Sequence, residues 1–85
     1  MTKRALNEKI NITGWTFRNI RGIATFPSRM EYQGTVYNFK DGLQYLIKKG
    51  ESVKRIFDMT DGAKDYRLMC DEQESWTLVA ITEYA

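Results

Sequence analysis

The sequence predicts an α+β fold, with one helix over about residues 39–49 packed on a largely antiparallel, strongly bent sheet of five to six strands. Three observations carry that expectation. Gln33-Gly34 offers a two-residue turn between strand-like segments. Phe39, Leu43, Leu46 and Ile47 then recur at i, i+4, i+7 and i+8, the spacing of one helical face. Beyond Gly50 the chain reads as three strand-like segments separated by turn residues. The predicted order is strand-strand-strand-helix-strand-strand-strand, a string that a small half-open barrel also satisfies.

Residues 1–13 are polar with scattered Leu6, Ile10 and Ile12, and read as an N-terminal arm or a short helix. Residues 14–85 form the single α+β domain. Gly14 to Phe26 is rich in strand formers, with Trp15 and Phe17 on one face. A break near residues 19–22 makes it two short strands, or one long strand bulged at Gly22. Pro27, which has no amide to give a ladder, is expected to end it.

A loop at Gln33-Gly34 sets Tyr32 opposite Thr35, Glu31 opposite Val36 and Met30 opposite Tyr37. Because side chains alternate along a strand, Met30, Tyr32, Thr35 and Tyr37 share one face. The helix takes Asn38 as N-cap, Asp41 as first-turn acid, Lys48 and Lys49 near its C-terminus and Gly50 as its stop. Gly42 weakens a helix, so it is expected where backbone must approach a neighbouring strand. Ser52 to Met59 alternates, Thr60-Asp61-Gly62 turns, and Tyr66 to Cys70 forms the next strand. The last strand, Trp76 to Tyr84, is apolar on both faces in its middle and so belongs inside the sheet.

Eighty-five residues support one modest core. The opening residues are basic without an apolar run behind them, unlike a secretory signal, and no stretch approaches membrane-spanning length. Cys70 stands alone, which excludes an internal disulfide and fits a reducing, cytoplasmic setting. Charge is unevenly spread. Through Lys40 seven basic residues meet Glu8 and Glu31, a balance of +5, whereas from Asp41 onward six basic residues meet nine acids, a balance of −3.

The absence of histidine removes the commonest general base, the Ser-His and Cys-His nucleophile pairs and the usual zinc sets. Cys70 reads as a small buried apolar residue. Asp58, Asp61 and Asp65 bracket one turn and Asp71, Glu72 and Glu74 cluster in another, without EF-hand spacing. No glycine-rich phosphate loop occurs. The sequence thus implies a non-enzyme with no cofactor, metal or membrane association.

What remains is surface. Met30, Tyr32, Tyr37 and Tyr45 are residue types enriched where proteins meet, and an unprotected sheet edge can pair with another chain. The leading expectation is therefore a small binding or regulatory protein of adaptor or inhibitor type, with a protein partner or itself in a homodimer. The alternative is nucleic-acid binding through Lys9, Arg18, Arg21 and Arg29 with Trp15 and Phe17, since cations interleaved with aromatics suit phosphates and stacked bases.

Overall fold

A computed structural model describes residues 2–19 and 23–84, with the side chains of residues 18, 19, 23 and 24 outside that description. The fold is all-β: eight strands in two antiparallel sheets, without a helix among the described residues. The strands are β1 (Thr2–Lys9), β2 (Asn11–Asn19), β3 (Ile23–Tyr32), β4 (Thr35–Asn38), β5 (Asp41–Lys49), β6 (Ser52–Thr60), β7 (Lys64–Cys70) and β8 (Trp76–Glu83). One sheet has the order β1-β8-β7-β6-β5 and the other β2-β3-β4.

The α+β expectation is therefore corrected where it was most specific. Residues 41–49, assigned to a helix, form β5 and pair with β6 in unbroken register from Asp41↔Thr60 to Lys49↔Ser52. The physical reason is that the segment satisfies two periods at once. Leu43, Tyr45 and Ile47 also stand at i, i+2 and i+4, the face of a strand. Gly50, read as a helix stop, instead takes positive φ (61°) at the first position of a two-residue hairpin loop with Glu51. A chain that can pair along nine residues with β6 gains a ladder that an isolated three-turn helix cannot match. The close approach expected at Gly42 is real in this new setting. A Cβ there would lie 2.6 Å from Met59 Cε and 3.0 Å from the Asp58 carbonyl.

The N-terminal segment is likewise strand. Residues 2–9 lie antiparallel to β8, with the register slipping between Ala5 and Glu8 around Asn7, whose φ is 53°. The stretch from residue 14 resolves into two paired strands, Asn19 opposite Ile23; of the expected break near residues 19–22, residues 20–22 lie outside the described residues. Strand β3 continues through Pro27 to Tyr32 instead of ending there. Pro27 sits where pairing with β2 slips in register and where β4, which reaches only to Arg29, gives it no second neighbour.

The Gln33-Gly34 hairpin has the expected pairs, Tyr32↔Thr35, Glu31↔Val36 and Met30↔Tyr37. Both loop residues take positive φ (51° and 75°), the requirement of a type I′ turn. Strand β8 is an interior strand between β1 and β7.

The core lies between the sheets. Phe26, Met30 and Tyr32 of β3 meet Phe57, Met59, Tyr66, Leu68, Cys70, Leu78 and Ile81 of the larger sheet, with Ile10 from the β1–β2 junction. Aromatic rings tie the layers together: Phe26 meets Phe57 edge-on at 6.0 Å, and Tyr37 and Phe39 flank Tyr66 at 5.6 and 5.3 Å. The buried Tyr66 hydroxyl donates to Asp61 Oδ2 (2.7 Å), while Asp61 Oδ1 accepts the amides of Ala63 and Lys64 (2.8 Å each). Burial and that acidic acceptor push the Tyr66 phenol far up.

Candidate functional site

Of the four side chains proposed from sequence to meet a protein partner, Met30, Tyr32 and Tyr37 stay together on the β3–β4 hairpin, and Tyr45 stands apart on β5. Met30 and Tyr32 are buried in the core, and the Tyr32 hydroxyl donates to Glu8 Oε2 (2.6 Å). Tyr37 is half-buried against Tyr66. Tyr45 alone of the four stands at the surface, on β5. Its hydroxyl hydrogen-bonds Asp58, an acidic acceptor that raises its pKa, assisted by charge repulsion and partial burial.

Around Tyr45 the structure exposes what the helical reading had buried. Leu43 (63% exposed), Leu46 (67%) and Ile47 (52%) all lie on β5. Leu43, Tyr45 and Ile47 project on the sheet's outer face, where Tyr45 continues into Ile56 of β6 and Met69 of β7 in one cross-strand row. Leu46 projects on the opposite face, beside Arg55. The signal for this in the sequence was Gly50-Glu51, a two-residue loop between two alternating segments.

Strand β5 is also an edge. It terminates the larger sheet, and among the described residues no strand flanks its other side. Lys49 and Ser52 flank the two-residue loop, so odd-numbered residues of β5 exchange bonds with β6 and even-numbered ones turn their N–H and C=O outward. The Gly42 amide, one of the outward groups, is taken by the side chain of Asp41 (2.7 Å). Compared with the opposite edge, the middle of β5 lacks protection. Strand β1 carries Lys3, Arg4, Glu8 and Lys9 and the irregularity at Asn7, whereas the middle of β5, Leu43 to Ile47, holds no charge, proline or bulge.

A groove of about 460 Å³ runs along the outer face of β5, lined among others by Asp41, Leu43, Tyr45, Asp58 and Asp65. Its acids are occupied with the fold. Asp41 accepts the Gly42 amide, Asp58 receives a two-pronged contact from Arg67 (2.7 and 2.9 Å), and Asp65 accepts the Tyr84 hydroxyl. Arg67 is the main cause of the low pKa of Asp58, against a smaller opposing effect of burial. The second acidic group is also occupied with the fold: Asp71 Oδ1 accepts the amides of Gln73 and Ser75 in its own turn, and Glu72 accepts that of Val53 at the start of β6. The Cys70 thiol is buried, touched by Arg55 Nη2 at 3.6 Å.

Compared with known protein families, characterised proteins and solved structures, the chain matches none of them.

The residues proposed for nucleic acid converge only in part. Trp15 and Phe17 (71% exposed) do face solvent on β2, and Lys9 lines a shallow hollow beside Trp15. Glu74 lines that hollow too. Arg29 is turned to its own sheet, where Nε and Nη2 donate to Thr13 Oγ1 (3.0 Å) and Thr13 O (2.6 Å). Arg18 lies in β2 opposite Ala24 with its side chain outside the described set, and Arg21 lies outside the described residues.

Proposed function

We propose that this chain is a small non-catalytic binding protein of adaptor or inhibitor type, which engages a protein through the β5 edge by strand addition. The observation that supports this is a nine-residue edge strand, in regular register, with Leu43, Leu46 and Ile47 exposed and outward backbone groups unclaimed by any neighbouring strand. Strand addition uses both assets: main-chain bonds supply affinity, and alternate side chains supply specificity. The non-catalytic reading is supported by the lack of histidine and by the structural employment of the groove acids. A cytoplasmic setting is supported by the lone, buried thiol of Cys70.

A photo-crosslinking phenylalanine analogue at position 46, irradiated in extract of the native host with and without nuclease, tests the reading. Crosslinks to protein that survive nuclease are expected, and they should fall sharply when Tyr45→Ala is added. Crosslinks only to nucleic acid, or none above those of a probe at exposed Glu72, would overturn it.

A second reading draws on exposed Trp15 and Phe17, a stacking surface for single-stranded nucleic acid. It requires affinity that drops steeply with salt and disappears on Trp15→Ala.

A further inference from the structure

We infer that the occupant of the β5 edge is a second copy of this chain, its own β5 laid antiparallel about a two-fold axis at Tyr45. The inference rests on the reading of β5 as a protein-binding edge and names the partner.

The strand is self-complementary when reversed. Pairing about Tyr45 sets Asp41 opposite Lys49 of the second copy, Gly42 opposite Lys48, Leu43 opposite Ile47 and Gln44 opposite Leu46. Charge complementarity follows from placement: the acid lies at one end of β5, both lysines at the other, and the uncharged stretch between them. A parallel arrangement would instead bring like charges together at each end.

The backbone parity agrees. Even-numbered residues turn their hydrogen-bonding groups outward, and this register pairs even with even: Gly42 with Lys48, and Gln44 with Leu46. Tyr45, Leu43 with Ile47, and Asp41 with Lys49 then occupy the non-hydrogen-bonded positions, where Cα atoms approach to about 4.5 Å and side chains touch most closely. Shifting by one residue would set outward groups against positions whose groups already serve β6. Shifting by two keeps parity but shortens the overlap and misaligns Asp41 with Lys49. In the paired state the Gly42 amide passes from the Asp41 side chain to the partner's backbone.

The arrangement is isologous, so each end contact occurs twice. Two copies would join their five-stranded sheets into one continuous sheet, with the Leu43–Ile47 contacts on its outer face and Leu46 on the other.

Light scattering coupled to size exclusion, with sedimentation across a concentration series, tests this on the full chain. Wild type should run at twice the 10.0 kDa chain mass. Asp41→Lys and Lys49→Asp should each weaken the dimer about tenfold by setting like charges opposite each other twice, and the double variant should return to within about threefold of wild type. Circular dichroism checks that each variant is folded. Hydrogen exchange on wild type needs no variant: the amides of Gln44, Leu46 and Lys48 should gain protection as concentration rises.

A monomer at every concentration would overturn the inference, as would a dimer indifferent to the charge changes. If crosslinking at position 46 then captures another protein, the β5 edge remains a protein-binding site and only its partner has been misassigned. If it captures nothing, both readings fail.

Discussion

Replacing Leu43 and Leu68 by alanine, one at a time, separates this fold from the helical alternative. As part of a helical stripe seated on the sheet, Leu43→Ala would cost about 2–5 kcal/mol, the loss seen on emptying a packed aliphatic site. In the observed fold Leu43 is 63% exposed, so little more than a third of its surface is covered. Full burial of such a side chain is worth about 1.5–3 kcal/mol, which scales here to about 0.5–1 kcal/mol, with no cavity left behind. Leu68 is wholly buried between Phe57 and Leu78 in the register of the sheet. Its truncation carries both the transfer loss and the cavity, about 2.7–5.0 kcal/mol. Urea unfolding followed by tryptophan fluorescence measures both, at protein concentrations low enough that association contributes nothing. With a slope of about 1 kcal/mol per molar for a chain of this size, Leu43→Ala should move the midpoint by less than about 1 M. Leu68→Ala should move it by about 3 M or leave the chain unfolded. Equal losses at the two positions, or a larger one at Leu43, would refute the placement of β5 at the rim.

Two further outcomes follow from the same structure. The Asp58 carboxylate is held below its ordinary pKa chiefly by Arg67, so its contribution is complete above the unfolded value near ~4 and is lost as pH falls through the lower folded value. The gap in urea midpoint between wild type and Asp58→Asn should therefore stay level from about pH 5 to 8 and close below about pH 4; a gap that persists into strong acid would contradict the pairing. Gly42→Ala forces a methyl against the buried Met59 side chain and should cost about 1–3 kcal/mol, most of it recovered in a Met59→Ala background. Additive losses in the double variant would mean that the two side chains do not collide.

Legibility in the sequence tracked how local the deciding interaction is. The hairpin around Gln33-Gly34 was readable because its register is set by the loop itself, and β6, β7 and β8 announced themselves by alternation and by turn residues. Strand β1 was not readable. Thr2 to Lys9 has almost no apolar face and becomes a strand only by lying against β8, some seventy-five residues away along the chain. Strand β5 failed for a different reason: Asn38, Asp41, Lys48, Lys49 and Gly50 are sensible helix punctuation and equally sensible hairpin ends. Only the availability of β6 decides between them. The site suffered accordingly. Met30 and Tyr32 were grouped correctly on one face, but that face packs inward, because the three-stranded sheet folds onto the larger one. The helical spacing points Leu43, Leu46 and Ile47 inward, yet all three are exposed.

The exposed aliphatics of β5 contribute little to the stability of one copy, so intrachain folding does not account for them. An edge held only for folding would be served as well by the lysines and the irregularity that guard β1. Long unguarded edges also invite runaway growth, and the two-fold arrangement answers that hazard. Pairing β5 with β5 consumes the open edge of both copies at once, and the joined sheet then ends on each side in β1, bent at Asn7 and studded with Lys3, Arg4 and Lys9. The smaller sheet offers no comparable site: β4 is four residues long, and the pairing of β2 slips on both sides of Gly14. Assembly through β5 would therefore close at two. This accounts for an apolar strand at a rim in a way that neither a stacking surface for nucleic acid on β2 nor a catalytic use of the groove would, since neither requires Leu46 on one face and Leu43 and Ile47 on the other.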